Sequence, residues 1–476
     1  MKKILGFALL WVALFSLSAC EEEEPRIFPN YDNALFSEVF DHLLENHYTR
    51  PDADALWSGA IQGLIDALDD PYTRYLSAEE FQRFQDSLGE SFVGIGVQVE
   101  NIDNLPVIRQ VFRGSPAERA GLQAGDTITH VDGVDYRQRG YFDILAAILG
   151  ELGTPVEVGV FRVGERDTLF LEMTRAVIEN PTVVTEVFKE DDATYGYIRV
   201  NSFGSLTFSV FNSNLSQLEE DDDIEGLIVD LRNNSGGLLS TVQRMMDLFL
   251  TRGDLPMFII EQVSNGVVSQ VEYNATGTQS KDYPIIILIN GNSASASEVF
   301  AAGMVEKGGY VTLGTPSFGK GTMQIPKSLS YAEGDELQTS VGRWLTPNGT
   351  WVNNQGGDVL AIEPTHEVEQ NPNFLAVSVR LNPDQILTFD TVSNQNENVQ
   401  VILNALGYTV RRDGYFDTAM QAEVERFQAD YGLRVSGDVD VPTAAKLSEL
   451  LFQYRQDLSN DAQIQAALEL LRHGND

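Results

Sequence analysis

Residues 284–324 read PIIILINGNSASASEVFAAGMVEKGGYVTLGTPSFGKGTMQ. Five apolar, mostly β-branched residues from Ile285 to Ile289 suit a strand buried on both faces, as in a parallel sheet. The chain turns at Asn290-Gly291-Asn292. Ser293, Ala294, Ser295, Ala296 and Ser297 then open an apolar helical pattern through Val299, Phe300 and Met304. A serine at a strand-to-helix turn has an exposed hydroxyl and backbone N–H groups beside it. Those N–H groups can hold the oxyanion that forms when a carbonyl is attacked.

A nucleophilic serine needs a base. The chain has five histidines, His42, His47, His130, His366 and His473, none near the serine-rich turn in sequence. Lys320, in Gly319-Lys320-Gly321 after the apolar run Tyr310 to Leu313, offers another base, and Ser-Lys pairs are a known variant of the triad logic. A phosphate-binding loop is the competing reading of these glycines. It would require Ser or Thr where Gly321 stands.

SASASEVFAAGM followed by GTPSFGKGTMQ closely resembles the carboxyl-terminal processing peptidases, Ser-Lys serine endopeptidases with an inserted PDZ domain. The resemblance implies Ser295 as nucleophile, Lys320 as general base, and Gln324, one helical turn on, as the residue that orients the lysine. It implies an α/β fold, with a crotonase-like protease core, an inserted β-rich α+β PDZ domain and a small C-terminal all-α domain. By the same resemblance Gly236 or Gly237, after the strand pattern Gly226 to Arg232, completes an oxyanion hole with the N–H of Ala296. Paired glycines let a backbone approach a substrate closely. Of the two acids on the nucleophile helix, Glu298 reads as structural and Glu306 as a candidate for supporting the site. No cofactor or metal is implied.

Lys plus Arg total 32 against 70 Asp plus Glu, a formal charge of −38, which argues against nucleic acid or an anionic membrane surface as electrostatic partners. Met1-Lys2-Lys3 and the apolar run Ile4 to Leu17 read as a signal peptide over 1–19. Leu17-Ser18-Ala19-Cys20 looks like a lipobox whose cysteine is lipidated, with an acidic spacer over 20–29, which places the protein in a bacterial envelope, anchored on the outer side of the membrane. Cys20 is the single cysteine, which excludes an intramolecular disulfide and a thiol nucleophile.

Residues 30–90 carry helical periodicity, with Leu35, Val39, Leu43 and Leu44 on one face, and then Asp69-Asp70-Pro71-Tyr72, read as a packing turn. Residues 91–175 have the pattern of a PDZ module, in which Phe92, Val93, Gly94 and Ile95 would receive a peptide's terminal carboxylate as the peptide adds as a strand. The family's arginine before the Gly-x-x-Gly-Thr turn is Leu149 here, which puts PDZ gating in doubt and leaves Arg113 or Arg139 as substitutes. The protease core resumes over 176–388. Residues 394–452 resemble a peptidoglycan-binding domain, with a plain three-helix packing or dimerisation module as the alternative. Residues 453–476 read as a last amphipathic helix.

The leading expectation is a lipid-anchored endopeptidase that grips substrate C-termini, with peptidoglycan as a second partner and a homodimer left open. A PDZ scaffold tethered to membrane and wall is the non-catalytic alternative, disfavoured by the Ser295, Lys320 and Gln324 set. An acyl-CoA enzyme of the crotonase type is disfavoured by the export signal.

Overall fold

The strand Ile285–Ile289 is the middle of a six-stranded sheet in the order Val183–Glu190, Ala193–Val200, Gly226–Asp230, Ile285–Ile289, Val311–Gly314, His366–Glu367. All neighbours pair in parallel except the first two. This is a computed structural model, describing residues 33–473 apart from 83–90, 355–359, 382–384 and loop positions 103, 113, 163, 164, 166, 180, 181, 191, 192, 265, 331, 333, 375, 376, 378 and 380. The expected signal peptide, Cys20 and acidic spacer lie outside the described residues.

Because side chains alternate across a strand, a parallel strand must bury both sets. Ile285, Ile287 and Ile289 join Leu227, Val229, Ile198 and Val200 against helices Thr207–Glu220, Leu239–Met246 and Ala296–Glu306. Ile286 and Leu288 face the other way, with Tyr195, Tyr197, Ile228 and Leu313, and are covered by Ile464, Ala467, Leu468 and Leu471 of the C-terminal helix Ala462–His473. That helix is therefore a layer on the sheet of the protease core. A second sheet, in the order Arg74–Leu76, Glu336–Leu345, Phe258–Ser264, Val267–Tyr273, with Thr322–Ser328 also on Glu336–Leu345, carries the lysine loop.

Both accessory modules are inserted between closed ends. Ser91–Gly94 and Ala176–Glu179 pair antiparallel where the chain leaves for and returns from the PDZ module. The module itself is the sheet Val97–Ile102, Leu105–Val111, Thr127–Val131, Pro155–Phe161, Leu169–Thr174 with helix Tyr141–Ile148. The C-terminal module, with helices Asn394–Ala405, Thr418–Asp430 and Val441–Gln456, has its own core around Phe416 and Phe427. Its two ends are tied by Gln370, whose amide donates to Asp461 Oδ1 (3.0 Å) and accepts from the Ala462 N–H (3.2 Å).

Residues up to Asp70 form a unit of their own. Helices Asn33–Asn46 and Ala53–Asp66 meet through Phe36, Phe40 and Trp57, with ring centroids 5.5 and 6.0 Å apart across the pair. The helical periodicity holds, but Leu35, Val39, Leu43 and Leu44 are exposed.

Candidate active site

Ser293 and Ser297 are fully buried, and their hydroxyls donate to the carbonyls of Leu231 (2.9 Å) and Asn234 (2.8 Å). Ser295, between them, makes no such donation among the described residues and is only half-buried. It stands at the N-cap of Ala296–Glu306 with φ 55° and ψ −115°, a conformation that side-chain-bearing residues seldom adopt. Local strain of this kind turns the serine out of the strand-to-helix bend while its neighbours anchor the bend.

The loop after Gly226–Asp230 is held against this turn by Asn234, a buried residue that sequence reading missed. Its amide donates to the Val200 carbonyl (2.9 Å), its Oδ1 accepts from the Gly236 N–H (2.9 Å), and its own carbonyl accepts from the Ala294 N–H (3.1 Å). Gly236 packs so closely that a Cβ there would lie 3.0 Å from Ser295 Cβ and 3.1 Å from Ala296 N. The Gly236 N–H is spent on Asn234, whereas the N–H groups of Gly237 and of Ala296, the first residue of the helix, carry no hydrogen bond among the described residues. Gly237, at φ 145°, also packs on the Phe203 backbone, 2.4 Å from where a Cβ would be.

Glu298 joins Ser295 to the lysine loop. Its Oε2 accepts from the N–H of Ser295 (2.7 Å) and of Lys320 (2.9 Å), and its Oε1 accepts from the Ser317 hydroxyl and the Gly319 N–H, both at 2.6 Å. Burial pushes this carboxyl above its ordinary value, while the four donors pull the other way by favouring the anion. Glu306 instead accepts from the Asn348 N–H (2.8 Å) at a hairpin turn, so the expected roles of the two acids are corrected: Glu298 supports the site and Glu306 a turn.

Lys320 is half-buried, and its Nζ lies 4.8 Å from the centre of the Tyr72 ring. Asp70-Pro71-Tyr72 thus brings an aromatic face to the lysine, a use that the packing-turn reading missed. The Trp344 and Trp351 indoles donate to the Lys320 (2.8 Å) and Gly321 (3.1 Å) carbonyls. A Cβ on Gly321 would fall 1.6 Å from the Val352 carbonyl, which is why glycine occupies the position where a phosphate loop would have Ser or Thr. Gln324 lies in the strand Thr322–Ser328, not one helical turn after Lys320, and its amide nitrogen donates to Thr322 (2.9 Å) and Ser340 (3.0 Å).

In the PDZ module, Phe92, Val93 and Gly94 are in the two-stranded ladder with Ala176–Glu179, and Ile95 is a core residue whose carbonyl accepts from Ala117. Leu149 ends the helix Tyr141–Ile148, whose last carbonyls, those of Ala147 and Ile148, accept from the buried Arg175 guanidinium at 3.0 and 2.8 Å. Arg139 is exposed and stacks on Tyr136, while Arg113 is outside the described residues.

Just after the strand Gly226–Asp230, Arg232 grips Asp230 (2.7 Å) and Asp461 (3.0 Å), all three buried. Burial alone would raise the Asp230 carboxyl, but the Arg232 guanidinium, the Arg199 charge and the Tyr197 hydroxyl outweigh it and hold the acid at about 2.

Glu298→Gln keeps the shape but turns an NH2 toward two of the four donors, and an unsatisfied buried donor costs about 1–3 kcal/mol. We expect the unfolding free energy to fall by about 2–5 kcal/mol and peptide hydrolysis at least about tenfold. A denaturant midpoint and rate equal to wild type would contradict this account of the carboxylate.

Family models match along the chain: peptidase family S41 over residues 194–368, a PDZ domain over 107–162, a peptidoglycan binding domain over 393–447, and the N-terminal domain of the activating protease CtpB over 21–80. The carboxy-terminal processing protease CtpB of Bacillus subtilis (strain 168) is 34% identical over 90% of this chain and 87% of its own length. CtpA of the same organism is 31% identical over 92% and 89%. The solved photosystem II D1 C-terminal processing protease aligns at 24% identity over 72% of this chain and 94% of its own, with a TM-score of 0.45. With its fold, its inserted PDZ module and its near full-length relatives, this chain belongs to peptidase family S41, among the carboxy-terminal processing serine proteases.

Proposed function

We propose that the protein is an extracytoplasmic endopeptidase that takes polypeptides by their C-termini through the PDZ module and cuts them with Ser295 and Lys320. The observation that carries this reading is that a single oxygen of Glu298 accepts from the backbones of both residues, so nucleophile and base loops are fixed to one atom. Lys320 Nζ takes the Ser295 proton as Oγ attacks the scissile carbonyl. The oxyanion then lies between the Gly237 and Ala296 N–H groups. Lysine returns the proton to the leaving amine, and water repeats the sequence on the acyl-enzyme. Gln324, its amide nitrogen held by the Thr322 and Ser340 hydroxyls, serves as the positioning group for the lysine.

A panel of peptides with varied C-termini, digested by wild type and by Ser295→Ala, tests the assignment. Cleavage is expected for wild type only. Cleavage that survives the substitution would point to another nucleophile, and none by either would favour the scaffold reading.

For location, the peptidoglycan-binding module and the processing-protease relatives support the cell envelope, and Cys20 supplies the anchor. No helix among the described residues is long and apolar enough to cross a membrane. Cys20→Ser should therefore move the protein from the membrane pellet to the soluble fraction. A variant that stays in the pellet after signal cleavage would sink the lipid-anchor reading.

A further inference from the structure

Pro71 opens the second of the chain's two compact units, and the residues that follow it are tied down one after another. Arg74–Leu76 pairs antiparallel with residues 336–338, the beginning of the strand Glu336–Leu345. The Arg74 guanidinium donates to the Gln338 side chain (2.7 Å), the Tyr75 hydroxyl donates to Asp335, and Asp335 also accepts from the Ala78 N–H (2.9 Å). Thr73 is buried, and its hydroxyl oxygen accepts from the Ser340 N–H (3.1 Å). A turn that only reversed the chain would need none of these bonds.

The strap leads to the lysine and the glutamine. Residues 336–338 pair with Arg74–Leu76 on one edge and with residues 326–328 on the other, so the strand Glu336–Leu345 lies between the strap and Thr322–Ser328, the strand that follows Lys320. Ser340 serves both flanks. Its N–H donates to Thr73, and its hydroxyl accepts from the amide of Gln324 (3.0 Å), its partner across the ladder. One residue before Thr73, the half-buried Tyr72 ring has its centre 4.8 Å from Lys320 Nζ. Two adjacent residues thus reach the lysine by an aromatic face and the glutamine by a hydrogen-bonded serine.

We propose that Tyr72 and Thr73 are positioning residues for hydrolysis: the Tyr72 ring fixes the Nζ end of Lys320, and Thr73 fixes Gln324 through Ser340. Lysine carries its amine on a flexible stem, so holding its main chain does not by itself aim the amine. A ring face attracts an ammonium from one side, and Lys320 becomes an ammonium each time it takes the Ser295 proton. Misplacing a reacting group by about 1 Å can cost about 10²-fold in rate. The proposal rests on the Ser-Lys reading and deepens it by naming what aims the base.

The test measures kcat and KM of the full-length protein on one cleavable peptide, with the thermal midpoint as the check on folding. Tyr72→Leu should lower kcat about tenfold or more at a KM within about twofold of wild type, and Tyr72→Phe, which keeps the ring, should recover kcat to within about threefold. Thr73→Val keeps the shape but not the acceptor, and should lower kcat about tenfold, with Thr73→Ser recovering it. Because Thr73 acts through Gln324, adding Thr73→Val to Gln324→Ala should cost less than about twofold more. Should a variant not fold, Tyr72→Met and Thr73→Ala make the same comparisons. The proposal is overturned if the Leu and Val variants keep kcat within about twofold of wild type, if Tyr72→Leu and Tyr72→Phe fall alike, if the Thr73 and Gln324 losses multiply, or if only KM changes. Wild-type hydrolysis by Lys320→Ala would sink the Ser-Lys reading and the proposal with it, whereas an inactive Lys320→Ala beside unaffected strap variants sinks the proposal alone.

Discussion

Lys320→Arg should leave a folded protein that hydrolyses peptides about 10²- to 10⁴-fold more slowly than wild type. Arginine keeps the positive charge and can also stack on the Tyr72 ring that lies 4.8 Å from Lys320 Nζ, and the loop remains held by Glu298, Trp344 and Trp351. Only the ability to give up a proton is lost, because a guanidinium does not deprotonate in a protein. Wild-type kcat should climb with pH as the ammonium becomes the free amine, and the climb should be missing from the residual rate of the variant. Should Lys320→Arg retain a tenth or more of the activity, the lysine would be acting as a charge, and one of the five histidines would have to be examined as the base.

Removing residues 457–476 should abolish soluble, folded protein, although none of the proposed catalytic residues is among them. Ile464, Leu468 and Leu471 are buried on the sheet face of Tyr195, Tyr197, Ile228, Ile286 and Leu288. At about 1.5–3 kcal/mol for each large side chain, their loss alone rivals the 5–15 kcal/mol that holds a domain together. The cut also takes Asp461 from Arg232, leaving a buried guanidinium with one carboxylate where it had two. Excision of residues 372–459, with a short flexible linker joining Gln370-Asn371 to Asn460-Asp461, should by contrast keep the hydrolytic rate within about threefold while retention on purified peptidoglycan drops, since those ends are already hydrogen-bonded together. A soluble, active chain lacking 457–476 would show that the second face of the sheet needs no cover.

The parts of this molecule that were legible in sequence are those whose meaning is local. SASASE at a strand end, the glycine-flanked lysine, and the PDZ-like and peptidoglycan-binding-like patterns each announce themselves within a few dozen residues. What escaped depends on separation. Arg232 and Asp461 are 229 residues apart, and a helix with an Ile-Ala-Leu-Leu stripe does not say which surface it covers. Gln324 was placed by helical spacing, yet Gly321 precedes it, Pro326 follows and the partner strand Glu336–Leu345 decides the conformation. Choosing between Glu298 and Glu306 required knowing that Ser317, Gly319 and Lys320 fold back over the first turn of the helix. Asn234 was hidden because its work is done by a side chain and a main-chain carbonyl on three different segments, with no spacing that a motif could record.

The C-terminal helix also sets an order of events in the life of the chain. Ser295 and Lys320 are synthesised well before Asp461 and the helix Ala462–His473 that closes their sheet. A growing chain therefore holds all of the proposed catalytic residues while one face of the sheet is still bare and Arg232 still lacks its second carboxylate. A chain interrupted before Asp461 is therefore expected to be an inert fragment rather than a loose protease.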